Sequence, residues 1–173
     1  MSRGLLIVLT GEGKGKTTSA LGMALRAAGH GRRICFVQFI KGGWHYGELD
    51  ALKRFEDLID LHVTGQGFTW KSQDREADAR LARAGWELAC GAMESGRYDL
   101  VVLDEFTYLL HYGMLELESC LDVLRRRSPD LHVVVTGRHA PPELMAAADL
   151  VTEMRAIKHP LQSGVRAQQG IEF

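Results

Sequence analysis

Cysteine is scarce in this chain, and no apolar run in it is long. The three cysteines, Cys35, Cys90 and Cys120, lie far apart and make no Cys-x-x-Cys pair. That spacing argues against a disulfide framework and a structural zinc, and it suits a reducing compartment. Cys35 falls in an apolar run, where a thiol serves as a small core residue. The first apolar run, LLIVLT at residues 5–10, is too short to span a membrane, and the glycine-rich turn after it is not a cleavage site. A cytoplasmic protein with no targeting segment and no membrane partner is expected. Excess charge of one sign is missing too. The formal net charge of -1 gives no broad positive field for a polyanion, which disfavours nucleic acid as the main partner.

What is present suffices for an ordinary soluble core. A chain of 173 residues, 46% hydrophobic and 25% charged, suits one domain spanning residues 1–173, uninterrupted by repeats or linkers. Four short apolar runs at residues 5–10, 34–40, 100–105 and 131–137 read as buried parallel strands. More polar runs at 58–65 and 150–156 read as edge strands. Helical patterns lie between them. One follows the first strand and stops at Gly29 and Gly31. A long one runs from Gln73 to about Ser95, with Ala77, Leu81, Ala84, Leu88 and Ala92 on one face and Asp74, Glu76 and Asp78 in its first turns. Another ends in Arg125-Arg126-Arg127, where positive charge complements the helix dipole, and Pro141-Pro142 opens a short last helix. Strands alternating with helices predict a layered α/β fold with a mostly parallel central sheet.

The first strand runs into TGEGKGKTT, residues 10–18. A phosphate-binding loop requires Gly, four residues, then Gly-Lys-Ser/Thr. Counting back from Gly15-Lys16-Thr17, the place of the first Gly is held by Thr10. The strand-to-helix context still favours an anion site over a bare glycine turn. Gly11, Gly13 and Gly15 let successive N–H groups point at one anion, and the helix adds its positive end. Glu12 and Thr18 complete the candidate nucleotide-binding stretch. Lys16 and Lys14 supply charge, and the Thr17 hydroxyl is placed to ligate magnesium. Read from Gly11 instead, the loop is one residue short, and a shorter loop predicts a differently shaped cavity, with the triphosphate presented another way round.

Asp104 and Glu105 close the third buried strand, where a carboxylate of a P-loop protein holds magnesium directly or through water. Both residues have a plainer reading as strand-end caps. Arg138, after VVVTG, is a candidate phosphate contact or a structural ion pair. Phe68 and Trp70 flank Thr69 in a glycine-led loop, and two large aromatics there require either a packing partner or a flat apolar ligand.

The motifs TGEGKGKTTSALG, VQFIKGGW, TGQGFTWKSQDREAD, VVLDEFTYLL, VTGR and VRAQQGIEF follow one another along essentially the whole chain. In this combination the sequence resembles the P-loop type of ATP:corrinoid adenosyltransferase. The resemblance implies a P-loop NTPase-like three-layer fold and attack of cobalt(I) of a reduced corrinoid on the 5′-carbon of ATP, with triphosphate leaving intact. It implies ATP and Mg2+ or Mn2+ at residues 11–18, Asp104, Glu105 and Arg138, with Lys16 and Glu105 catalytic. It also implies that Phe68 and Trp70 press on the lower corrin face and exclude an axial ligand. A flavoprotein reductant and a homodimer are further implications. By the same logic His45, His111, His139 and His159 are not cobalt ligands. The C-terminal segment either folds over the nucleotide or is an ordinary ordered tail. A phosphoryl-transfer enzyme and a non-catalytic nucleotide-binding regulator are the competing readings.

Overall fold

The computed structural model describes residues 3–40, 42, 45–65 and 75–173. Six strands form one sheet: β1 (Leu6–Thr10), β2 (Ile34–Gln38), β3 (Ile59–Val63), β4 (Leu100–Asp104), β5 (His132–Thr136) and β6 (Leu150–Glu153). Their order is β3-β2-β4-β5-β1-β6, and every pairing is parallel. The four apolar runs form the four inner strands and the two polar runs form the edges. Burial explains the division. Inner strands are covered on both faces and read as unbroken apolar runs, whereas all four residues of β6 are exposed.

Alternation within the strands builds two cores. Leu6, Val8, Cys35, Val37, Val101, Leu103, Val133 and Val135 point to one face. Helices α3 (Arg75–Glu94), α4 (Phe106–His111), α5 (Leu117–Arg126) and α6 (Pro142–Ala147) contribute the residues packed there. Leu9, Ile34, Phe36, Leu100, Val102 and Val134 point to the other face, against α1 (Lys16–Ala28) and Leu52 of α2 (Gly47–Lys53). Each such side chain taken from water stabilises the fold by about 1.5–3 kcal/mol. The result is the three-layer α/β arrangement of P-loop NTPase-like folds.

Three local details differ from the sequence reading. The buried face of α3 is Ala82, Gly85, Ala89, Ala92 and Met93, so the expected stripe is displaced by about one residue: Ala92 is buried and Leu88 packs at the edge of the core, but Ala84 is exposed. Small residues win that face because the helix sits close to the neighbouring chain. A Cβ at Gly85 would lie 2.6 Å from Thr64 Oγ1. Strand β4 ends at Asp104, and Glu105 turns into the left-handed region at φ 62° to start α4. The short helices α2 and α4 offered too few turns for periodicity to reveal. In the arginine triplet, Arg127 Nη1 donates to Leu124 O at 2.7 Å and its Nη2 donates to Asp149 Oδ2 at 3.3 Å.

Candidate active site

In an open parallel sheet, ligand sites form beyond the carboxyl ends of the strands. Here the ends of β1, β4, β5 and β6 bring together the glycine-rich loop, Asp104-Glu105, Gly137-Arg138 and Met154-Arg155. The loop is wedged against the chain leaving β6. Gly13 N donates to Met154 O at 2.6 Å, and Met154 N donates to Thr10 O at 2.8 Å. Side chains have no room there: a Cβ at Gly13 would lie 2.8 Å from the Arg155 carbonyl carbon. Gly15, at φ 113°, turns the chain into α1. Thr10, in the position of the missing glycine, is buried strand. Its hydroxyl accepts from Ala140 N at 3.4 Å and ties the β5–α6 connection to β1.

Lys16 is 8% exposed, and its Nζ donates to Gly11 O and Gly13 O at 2.7 and 2.8 Å. The ammonium thus sits inside the curl of the loop. Burial lowers its pKa, Glu105 opposes that effect, and Arg138 adds to it. Thr17 Oγ1 donates to Asp104 Oδ1 at 2.8 Å, and Thr136 Oγ1 donates to the same oxygen at 2.7 Å. Gln38 Nε2 donates to Asp104 Oδ2 at 3.3 Å. Glu105 N donates to Thr136 Oγ1 at 2.9 Å, which fixes the strained turn after the strand.

Two loop charges have acidic neighbours. Arg138 Nη1 lies 3.1 Å from Glu12 Oε2 in an exposed pair, and Lys14 Nζ lies 2.6 Å from Glu172 Oε1. Thr107 Oγ1 donates to Arg138 O at 2.5 Å, holding the β5 exit beside α4. Tyr108, in α4, has its phenol pushed up to about 12 by burial and by Glu105. Lys16, Thr17, Asp104, Glu105 and Arg138 therefore belong to one constellation, whereas the Lys14 side chain leaves the same loop toward Glu172. Gly11, Glu12, Gly13, Gly15 and Thr18 carry or adjoin its backbone. Phe68 and Trp70 lie outside the described residues.

Gln38, Thr136 and Glu172 were not anticipated. The first two had a readable signal, a polar residue closing an otherwise apolar strand. Glu172 lies in the motif VRAQQGIEF, but nothing in the sequence directed it to Lys14, at the other end of the chain. Of the histidines, His45 pairs with Asp50, His111 stacks on His139 at 4.4 Å between ring centroids, and His159 Nδ1 accepts from Leu161 N. A concavity of about 980 Å3 opens near Met23, Arg26, His30, Asp130 and His132. It lies at the amino ends of the strands, away from the constellation, and part of its polar lining is already committed, as in Arg32–Asp99 and Leu5 N–His132.

Chemically, the constellation can surround a polyanion with N–H groups and ammonium charge and can offer oxygen donors to a hard cation. Among the described residues no group of three or more His, Cys, Asp or Glu side chains could hold a metal ion by itself. The chain matches the family described as ATP:corrinoid adenosyltransferase BtuR/CobO/CobP over residues 2–173. It is 47% identical to a corrinoid adenosyltransferase of Pseudomonas aeruginosa, over 99% of this chain and 84% of that protein. It is 44% identical to a corrinoid adenosyltransferase of Sinorhizobium, over 99% and 81%. The corrinoid adenosyltransferase CobA of Salmonella typhimurium is 43% identical, over 99% and 86%.

Proposed function

This chain belongs to the ATP:corrinoid adenosyltransferase family, and we propose a residue-level account of how it adenosylates a corrinoid with ATP. The cobalt(I) centre of the reduced corrinoid supplies the electron pair that attacks the 5′-carbon of ATP. The C5′–O bond breaks, its electrons go to the departing oxygen, and triphosphate leaves whole. Because the nucleophile belongs to the substrate, no serine, cysteine or histidine nucleophile is needed. The protein's task is to orient the nucleotide and to stabilise charge developing on the leaving group.

The observation that carries this reading is the convergence of Lys16, Thr17 and Asp104 at the mouth of the glycine loop. Lys16 exchanges the Gly11 and Gly13 carbonyls for phosphate oxygens when ATP enters. N–H groups of residues 11–18 receive the triphosphate, with Lys14 and Arg138 at its flanks. Gripping the nucleotide by its tail leaves the ribose carbon free to face the corrinoid. Phe68 and Trp70 act at the lower corrin face, where excluding an axial ligand makes cobalt(II) easier to reduce.

Thr17 Oγ1, Asp104 and Glu105 would hold Mg2+ or Mn2+. Asp104 is fully buried, and its hydrogen-bond donors among the described residues, Thr17, Gln38 and Thr136, are all neutral. A divalent cation suits a buried carboxylate so placed, and the donors are the hard oxygens it prefers. When bound, the cation supplies positive charge to the phosphate oxygens. A homodimer working in the cytoplasm with a flavoprotein reductant completes the reading. Support for the compartment comes from the free, buried thiols of Cys35 and Cys120.

Anaerobic incubation with ATP, Mg2+ and chemically reduced corrinoid tests the account through the absorbance of the cobalt–carbon bond. Wild-type protein should form that bond, and Lys16→Ala should lose about 100- to 1,000-fold in rate. Undiminished transfer by Lys16→Ala would remove its assigned role.

A further inference from the structure

Three cations border the candidate triphosphate site, and each already has an oxygen acceptor from the chain itself. Lys16 uses the carbonyls of Gly11 and Gly13, Arg138 uses Glu12, and Lys14 uses Glu172. The acceptors of the first two lie within the loop. Glu172 comes from the far end of the sequence. Its side chain is 15% exposed while that of Lys14 is 48% exposed, so the acid is the sheltered member and the lysine the reachable one.

The acid is carried on a compact turn. Gly170 N donates to Phe173 O at 2.8 Å, and Glu172 N donates to Gln168 O at 2.9 Å. Such a turn points one carboxylate in a fixed direction. Other ties between this turn and the loop are weak. Ile171 is 79% and Phe173 46% exposed, so apolar burial contributes little to docking. Among the described residues, the backbone hydrogen bonds of residues 165–173 remain within residues 160–173. The Lys14–Glu172 pair is thus a polar link between the tail and the loop. The lysine also holds the Glu172 carboxyl below the usual carboxylate range, so the acid is charged at neutral pH.

Resting on the assignment of this loop to the triphosphate, we propose that Glu172 is a tethered competitor of the triphosphate for Lys14. It occupies Lys14 in the empty enzyme, yields it when ATP binds, and reclaims it as the triphosphate product leaves. A carboxylate on the same chain acts at a high effective concentration and cannot diffuse away. Its single charge loses to a polyphosphate that engages Lys14, Lys16, Arg138 and the loop N–H groups together. It prevails over a small anion that meets Lys14 alone. Glu172 thus tunes the site toward long polyphosphates and hastens release of a highly charged product. The step exchanges ion pairs and forms no covalent bond.

The test is a double-mutant cycle on the full chain, with inorganic tripolyphosphate as the probe and isothermal titration as the readout. Glu172→Gln should tighten binding about three- to fivefold, the scale of one well-formed exposed ion pair, with a matching fall in dissociation rate. In a Lys14→Met background the same substitution should change nothing. Unchanged or weaker binding in Glu172→Gln would overturn the proposal, as would equal tightening in both backgrounds. Failure of the wild-type protein to bind tripolyphosphate would overturn the phosphate-loop assignment along with it. Wild-type binding without a Glu172 effect would refute the competitor alone.

Discussion

Thr17 Oγ1 donates to Asp104 Oδ1 across 2.8 Å, joining the first turn of α1 to the end of β4. The link binds the two halves of the site, the glycine loop and the acidic strand end, through a hydroxyl that can equally face a cation. Thr17→Val keeps the shape and removes the oxygen. We expect ATP binding in the presence of Mg2+ to weaken at least about tenfold, a loss comparable to one charge-assisted contact. Titration with EDTA in place of Mg2+ should largely abolish the difference between the variants. A difference of equal size in both conditions would remove Thr17 from the metal site.

Gly13 and Gly22 offer a paired test of why glycines stand where they do. A Cβ at Gly13 would press on the Arg155 backbone at 2.8 Å, whereas one at Gly22, inside α1, meets nothing within 4 Å. Gly13→Ala should destabilise the protein by about 1–3 kcal/mol and weaken ATP binding. Gly22→Ala should stabilise it by about 0.4–1 kcal/mol through helix propensity and a less free unfolded chain. Thermal unfolding of both variants checks the opposite signs.

Asp149 ties the start of β1 to the rest of the fold. Its carboxylate accepts from Leu6 N at 2.9 Å and meets Arg3 and Arg127. The Leu6 N–H is the main cause that lowers its pKa, and the two arginines add to it. A depressed carboxyl pKa means stability present above the unfolded-state value of 3.8 and lost as pH falls through the native one. Asp149→Asn should therefore lower the melting temperature at pH 7, and the gap to wild type should narrow below that value. A gap independent of pH would show that charge plays no part.

The proposed role of Phe68 and Trp70 gives a kinetic prediction. Phe68→Ala with Trp70→Ala should impair adenosylation from cobalt(II) plus reductant more than adenosylation from pre-formed cobalt(I). Equal losses in the two assays would contradict exclusion of an axial ligand as their role.

The inner strands and the glycine loop were legible in the sequence because each obeys a local rule. A strand buried on both faces is a short apolar run, and glycines crowded between a strand and a helix mark a tight connecting turn. The α3 face was placed about one residue off because alanine, which stands on both the exposed and the buried side of this helix, marks no face by itself, whereas close packing near Thr64 selects the smallest residues. The left-handed turn at Glu105 was illegible for another reason. It depends on Thr136, a residue of a different strand that receives the Glu105 N–H. Glu172 shows the same limit in its strongest form, since tertiary structure alone brings it to Lys14.

In the proposed reaction the loop holds a leaving group and transfers no phosphoryl group. The most direct measurement is phosphorus NMR of the polyphosphate products after anaerobic turnover with ATP, Mg2+ and reduced corrinoid. Intact tripolyphosphate, formed in equal amount to the cobalt–carbon bond, is expected. ADP with orthophosphate as the stoichiometric products would contradict this reaction.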